Sequence, residues 1–96
     1  MSRYTIYQED WIHLELEQLE TQQLFLHCKI EGYSVSRAKF CLFLFNELVS
    51  VLGAYGVNKL FALSDNRKLD KFITFFGMKV HSVLNDSDVI FVYEVE

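Results

Sequence analysis

Residues 11–17, WIHLELE, alternate: Ile12, Leu14 and Leu16 fall on one side, and Trp11, His13, Glu15 and Glu17 on the other. That two-residue period predicts a half-buried strand. Residues 24–30, LFLHCKI, repeat it with Leu24, Leu26, Cys28 and Ile30. With a turn about Glu20, the two segments predict an antiparallel hairpin that pairs Leu16 with Leu24, Leu14 with Leu26, Ile12 with Cys28 and His13 with His27. The run EDWIHLELEQLE is also rich in helix formers, so a helix over 9–20 is the competing reading. RYTIYQ, at 3–8, alternates as well and supplies a short first strand.

From Val35 to about Tyr55 the period changes. Ala38, Cys41, Leu42, Phe45, Leu48, Val49 and Leu52 recur at helical spacing as one wide stripe. Ser34 or Ser36 supplies the cap and Gly53 or Gly56 the stop. Phe40, Phe43, Leu44 and Val51 lie off that stripe, which gives the helix a second apolar side. Residues 59–63 read as a short buried strand. A second helix follows, with Leu69, Phe72, Ile73 and Phe76 inward, Asp65 or Asn66 as cap and Gly77 as its left-handed end. Residues 79–84 and 88–95 close the chain as a hairpin turned at Asn85-Asp86-Ser87. Its last strand is apolar on both faces, with Val89, Phe91, Tyr93 and Val95 opposite Ile90 and Val92. Such a strand is either interior or covered by a partner.

The predicted order is β-β-β-α-β-α-β-β, an α/β (α+β) domain. It has a single mixed, mostly antiparallel sheet, a long central helix and a short C-terminal helix. The crossover around residues 24–63 implies one parallel pair. With no Pro, no low-complexity tract and no repeat, residues 1–96 form one domain.

Composition adds an excess of apolar surface. Apolar residues are 51% of the chain and aromatics 16%, against 23% charged, more than a small monomer readily hides. A homodimer or a protein partner is expected to cover part of it, with Phe40, Phe43, Leu44, Val51, Phe91 and Tyr93 as the contact residues. The net charge of −4 is uneven: residues 34–81 hold seven basic and three acidic side chains, while both flanks are acidic. An acidic total without a basic and aromatic motif argues against nucleic acid. No long uncharged apolar run is present, so membrane association is not expected and a cytoplasmic setting is. Cys28 and Cys41 sit at no metal-ligand spacing and read as buried thiols.

The element order, together with SDNRKLDKFITFFGMKV at 64–80, resembles the GNAT superfamily of N-acetyltransferases without its N-terminal strand and helices. The family carries an Asn opening its last helix, a small residue three positions on, a Tyr seven on and Gly-Phe at eleven and twelve. Here those places hold Asn66, Leu69, Ile73 and Gly77-Met78. The resemblance implies an acyl-coenzyme A site whose Tyr protonates the departing thiolate, and Ile73 has no hydroxyl for that work. The family's pyrophosphate signature, Q/R-x-x-G-x-G/A, aligns Arg37 with its leading residue and puts Phe40 and Cys41 in the span of its glycines. Those side chains are expected to obstruct the cradle, with the Phe40 ring sealing the vacated site. Small bacteriophage-encoded acetyltransferase-like proteins are similar in kind, which implies a viral accessory role in host cytoplasm.

By carry-over, Glu31 is the candidate general base, with Tyr33 beside it. Arg37, Asn66, Arg67 and Lys68 are the candidate cofactor contacts, and Lys71, Lys59 and Lys79 enlarge the basic group. His13, His27 and Glu15 share a predicted sheet face, but two exposed cross-strand histidines are the commoner outcome and no metal is assigned. The reading is a pseudoenzyme: a non-catalytic protein-binding or inhibitory module on a degenerate acetyltransferase-like fold, needing no cofactor. The alternatives are an N-acyltransferase using acetyl-coenzyme A through a divergent loop and a structural subunit of a larger particle.

Overall fold

In the computed structural model, residues 2–32, 34–65 and 67–95 are described. Six strands and two helices follow in the order β1 (Ser2–Glu9), β2 (Ile12–Gln18), β3 (Leu24–Ile30), α1 (Val35–Ala54), β4 (Lys59–Ser64), α2 (Arg67–Phe75), β5 (Lys79–Val83) and β6 (Val89–Glu94). The fold is α+β, with one six-stranded mixed sheet ordered β1-β2-β3-β4-β6-β5. β3 and β4 run parallel, and the other neighbours are antiparallel.

The alternation in β2 and β3 settles strand over helix for residues 12–18. The register differs from the expected one by two residues: Leu16 pairs with Leu26, Leu14 with Cys28 and Ile12 with Ile30. The turn is centred on Thr21. Leu19 accepts from the Gln22 amide and donates to the Gln23 carbonyl, and Gln22 takes the left-handed conformation at φ 73°. This is a three-residue loop closed by a bulge. A two-residue shift keeps each side chain on its face, but it places Glu15, not His13, opposite His27.

One face of the sheet, carrying Ile12, Leu14, Leu26, Leu60, Ala62, Phe91 and Val95, forms a continuous core with Ala38, Cys41, Phe45 and Leu52 of α1 and Phe72, Ile73 and Phe76 from α2 and its end. Phe45 stacks on Phe76 at 4.9 Å and meets the Tyr93 ring edge-on at 5.1 Å, joining both helices to β6. The Ser34 side chain accepts from the Arg37 amide at the start of α1. Gly77, at φ 90°, lets the chain leave α2, because a left-handed turn there costs an ordinary residue steric strain. Asn85 closes the last hairpin by accepting from the Ser87 and Asp88 amides.

β6 lies inside the sheet between β4 and β5, so both of its backbone edges are paired within the chain. Phe91 is only 4% exposed, at the centre of the core. Its expected place in an intermolecular contact is therefore corrected, and half-buried Tyr93 is likewise engaged with Phe45. Phe43 and Val51 on α1 are exposed, as expected for its outer side, whereas Phe40 and Leu44 are half-buried.

Candidate functional site

The parallel pair β3–β4 is the place where the sheet opens. Its described register comprises only Phe25 with Phe61 and Leu26 with Ala62. Beyond these, the C-terminal ends of the two strands border a cleft of about 1070 Å³ that also meets the first turns of α1 and α2. Cys28, Lys29 and Ile30 line it from β3, Gly32 and Ala38 from the loop and α1, Asp65 and Arg67 from the β4–α2 junction, and Leu69, Lys71, Phe72 and Phe75 from α2. In open α/β sheets ligands favour the crevice outside the carboxyl ends of the strands, where helix N-termini also point.

A shallower pocket of about 330 Å³ lies on the sheet face away from the helices and shares Cys28, Lys29, Asp65 and Leu69 with the cleft. The two hollows therefore back onto each other at the β3–β4 gap. The second is polar. Arg3 lies 3.3 Å from Glu15 and 3.6 Å from Glu17, and His27 Nε2 donates to Glu17 Oε1 at 2.7 Å. Glu17 titrates below the usual carboxylate range, first because of the His27 hydrogen bond and further because of Arg3, against the opposing effect of burial. His13 lies 2.9 Å from Glu15. Among the described residues no set of three ligands is arranged to hold a metal ion.

The β3–α1 connection is held by Arg37, whose Nη1 donates to the Glu31 carbonyl at 2.6 Å and to the Gly32 carbonyl at 3.0 Å. Its guanidinium lies 4.9 Å over the Trp11 ring. Gly32 has φ 71°, and a Cβ there would come within 2.6 Å of that same Nη1. Glycine thus gives Arg37 its room. Arg37 braces the loop and does not line the cleft, so its expected role as a cofactor contact is replaced by a structural one.

The obstruction expected from Phe40 and Cys41 is also corrected. α1 starts at Val35, so small Ala38 borders the cleft. Phe40 turns toward β1 and β2, 5.3 Å from Tyr7 and 6.0 Å from Trp11. Cys41 enters the core at 1% exposure. Neither seals the opening.

Arg67 and Lys71 of the expected basic group reach the cleft, and Lys29 joins them from β3. Lys59 and Lys79 begin parallel strands and lie at the opposite end of the sheet. Asn66, Tyr33 and the Lys68 side chain lie outside the described residues. Glu31 is exposed and lends its carbonyl to Arg37; its carboxylate is not in the cleft wall. Ile73 is buried in the core at 3% exposure. Asp70 accepts from the buried Ser64 hydroxyl and ties α2 to the end of β4. Burial pushes the Cys28 thiol up to about 12, with Cys41 adding to the effect, and the Cys41 thiol up to about 11. Both are free and neither is an activated nucleophile.

Lys29, Ala38 and Asp65 carry no site signal in the sequence, because each looks ordinary where it stands. The positive character of residues 34–81 signals Arg67 and Lys71 and none of these three. No family model, curated protein or solved structure matches the chain.

Proposed function

We propose that this domain is a degenerate GNAT-like module that binds a phosphate-bearing ligand of the acyl-coenzyme A type and does not transfer the acyl group. The observation that carries this reading is the parting of β3 and β4 beyond Leu26 and Ala62 into a cleft bordered by Lys29, Arg67 and Lys71. The element order on which the resemblance rests supports the scaffold, with its long helix after the third strand and its short helix ending at Gly77.

The residues present fit the two chemical ends of such a ligand. Among the described residues, three cations against one cleft carboxylate, Asp65, suit phosphate charge, and Arg67 adds a planar fork of donors. Cys28, Ile30, Ala38, Leu69 and Phe72 suit an apolar stem and exclude water from it. When bound, the thioester would supply an activated acyl group. The chain's own residues stop short of using it: Ile73 is a buried hydrocarbon where the resemblance calls for a proton donor, and the Glu31 carboxylate stands outside the cleft wall. The reading is thus retention without turnover.

Thermal unfolding with acetyl-coenzyme A tests it. Free ligand at one hundred times its dissociation constant stabilises by about 2.7 kcal/mol, which for a domain of this size raises Tm by roughly 10–20 °C. Lys71→Glu and Arg67→Glu should each reduce the shift, and an amine acceptor should release no free coenzyme A thiol. A wild-type Tm unmoved by saturating acetyl-coenzyme A would overturn the binding half of the proposal; thiol release would overturn the other half.

A further inference from the structure

The outer side of α1 carries a row at four-residue spacing: Val35, Lys39, Phe43, Glu47, Val51 and Tyr55, every one of them exposed. Phe43 is 58% exposed and Tyr55 at the helix end 83%. Rows of this spacing form ridges on a helix surface, and two such ridges interdigitate in the commonest mode of helix packing, with axes crossing near −50°. The neighbouring row, Asn46, Ser50 and Ala54, is small and exposed and leaves a groove beside the ridge. Lys39 and Glu47 stand eight residues apart, about 12 Å along the axis, too far to pair with each other within one helix.

We infer that this ridge is a self-complementary surface on which a second copy of the chain docks, α1 against α1, about a two-fold axis at Phe43. The spacing determines the partner. Lys39 and Glu47 are equidistant from Phe43, so an antiparallel two-fold pairing sets each Lys39 against the partner subunit's Glu47, on both sides of a Phe43–Phe43 contact. An isologous interface requires this reciprocity, in which residue i meets j and j meets i. Opposite charges flanking a central aromatic contact fix the register and oppose a parallel arrangement, which would set like charges together. The cleft opens at the C-terminal ends of β3 and β4 and uses none of these side chains, so this inference stands apart from the ligand reading.

Sedimentation equilibrium of the full chain from low micromolar to submillimolar concentration tests it. The wild type is expected to show a reversible monomer–dimer equilibrium. Lys39→Glu or Glu47→Lys reverses two symmetry-related pairs at once and should weaken the dimer about tenfold. Combining K39E with E47K restores opposite charges and should return the dissociation constant to within about twofold of wild type. Phe43→Ala should weaken the dimer further than either single charge reversal. Far-UV circular dichroism checks that each variant is folded, which surface positions permit. A wild type that stays monomeric throughout would overturn the inference, as would single reversals without effect or a double variant as weak as the singles.

Discussion

Truncation of Phe45 to Ala probes the junction that holds both helices on the sheet. The ring is 2% exposed and touches two others, stacked on Phe76 at 4.9 Å and edge-on to Tyr93 at 5.1 Å. Removing a buried Phe costs ~3–5 kcal/mol from lost transfer energy and the cavity left behind. Each aromatic pair contributes ~0.5–1.5 kcal/mol beyond its area, which places Phe45→Ala at the upper end of that range. Domains of this kind are stable by only about 5–15 kcal/mol in total, so the variant should lie close to its unfolding threshold. Urea titration followed by circular dichroism measures the difference. Phe43→Ala, two residues away and 58% exposed, is the control. At a concentration that leaves the protein monomeric, it should change stability by no more than about 0.5 kcal/mol. Equal losses for the two variants, or a Phe45→Ala loss under about 1 kcal/mol, would refute the orientation assigned to α1 and the core built on it.

The Glu17–His27 pair predicts acid sensitivity. A carboxyl held below its ordinary value in the folded state contributes stability that is complete above the unfolded value, near 4.3, and is lost as pH falls through the folded one. Urea midpoints should therefore fall more steeply below about pH 4 in the wild type than in Glu17→Gln, and parallel profiles would contradict the assignment. The thiols predict chemical silence. With Cys28 at about 12 and Cys41 at about 11, at most about one group in a thousand is thiolate at pH 8. A disulfide reagent should react slowly with the folded protein and at once with both thiols in guanidinium, and a rapid native reaction would contradict the raised thiols of half-buried Cys28 and buried Cys41.

Much of the fold is legible in local pattern. The alternation of Ile12, Leu14 and Leu16 and of Leu24, Leu26, Cys28 and Ile30 identifies two strands and the faces they bury, and the stripe from Ala38 to Leu52 identifies α1. The hairpin register is not legible in the same way, because a two-residue slip preserves the alternation. What sets it is the left-handed Gln22, a residue type that does not announce such a turn. The two-sided β6 had two explanations, and strand order, a non-local property, decides for an interior position. Local pattern alone therefore puts Phe91 on a surface, whereas the strand order puts it in the core. The cleft follows the same logic. Cys28 and Lys29 meet Asp65 and Lys71 because the β3–β4 ladder is short, and no spacing within either segment encodes that. The glycine signature implies Phe40 and Cys41 as blocking residues, but linear spacing does not show which way a helical side chain faces: Phe40 turns to Tyr7 and Trp11, Cys41 enters the core, and Ala38 borders the opening.

The central claim is that the gap between β3 and β4 holds a ligand, and amide chemical-shift mapping tests it most directly. Titration of the labelled protein with coenzyme A should perturb the amides of Lys29, Ile30, Gly32, Ala38, Leu69 and Lys71, which border the cleft. Those of Phe43, Glu47 and Val51 on the outer side of α1 should stay in place. Unmoved spectra at saturating ligand, or shifts confined to the α1 ridge, would contradict the account.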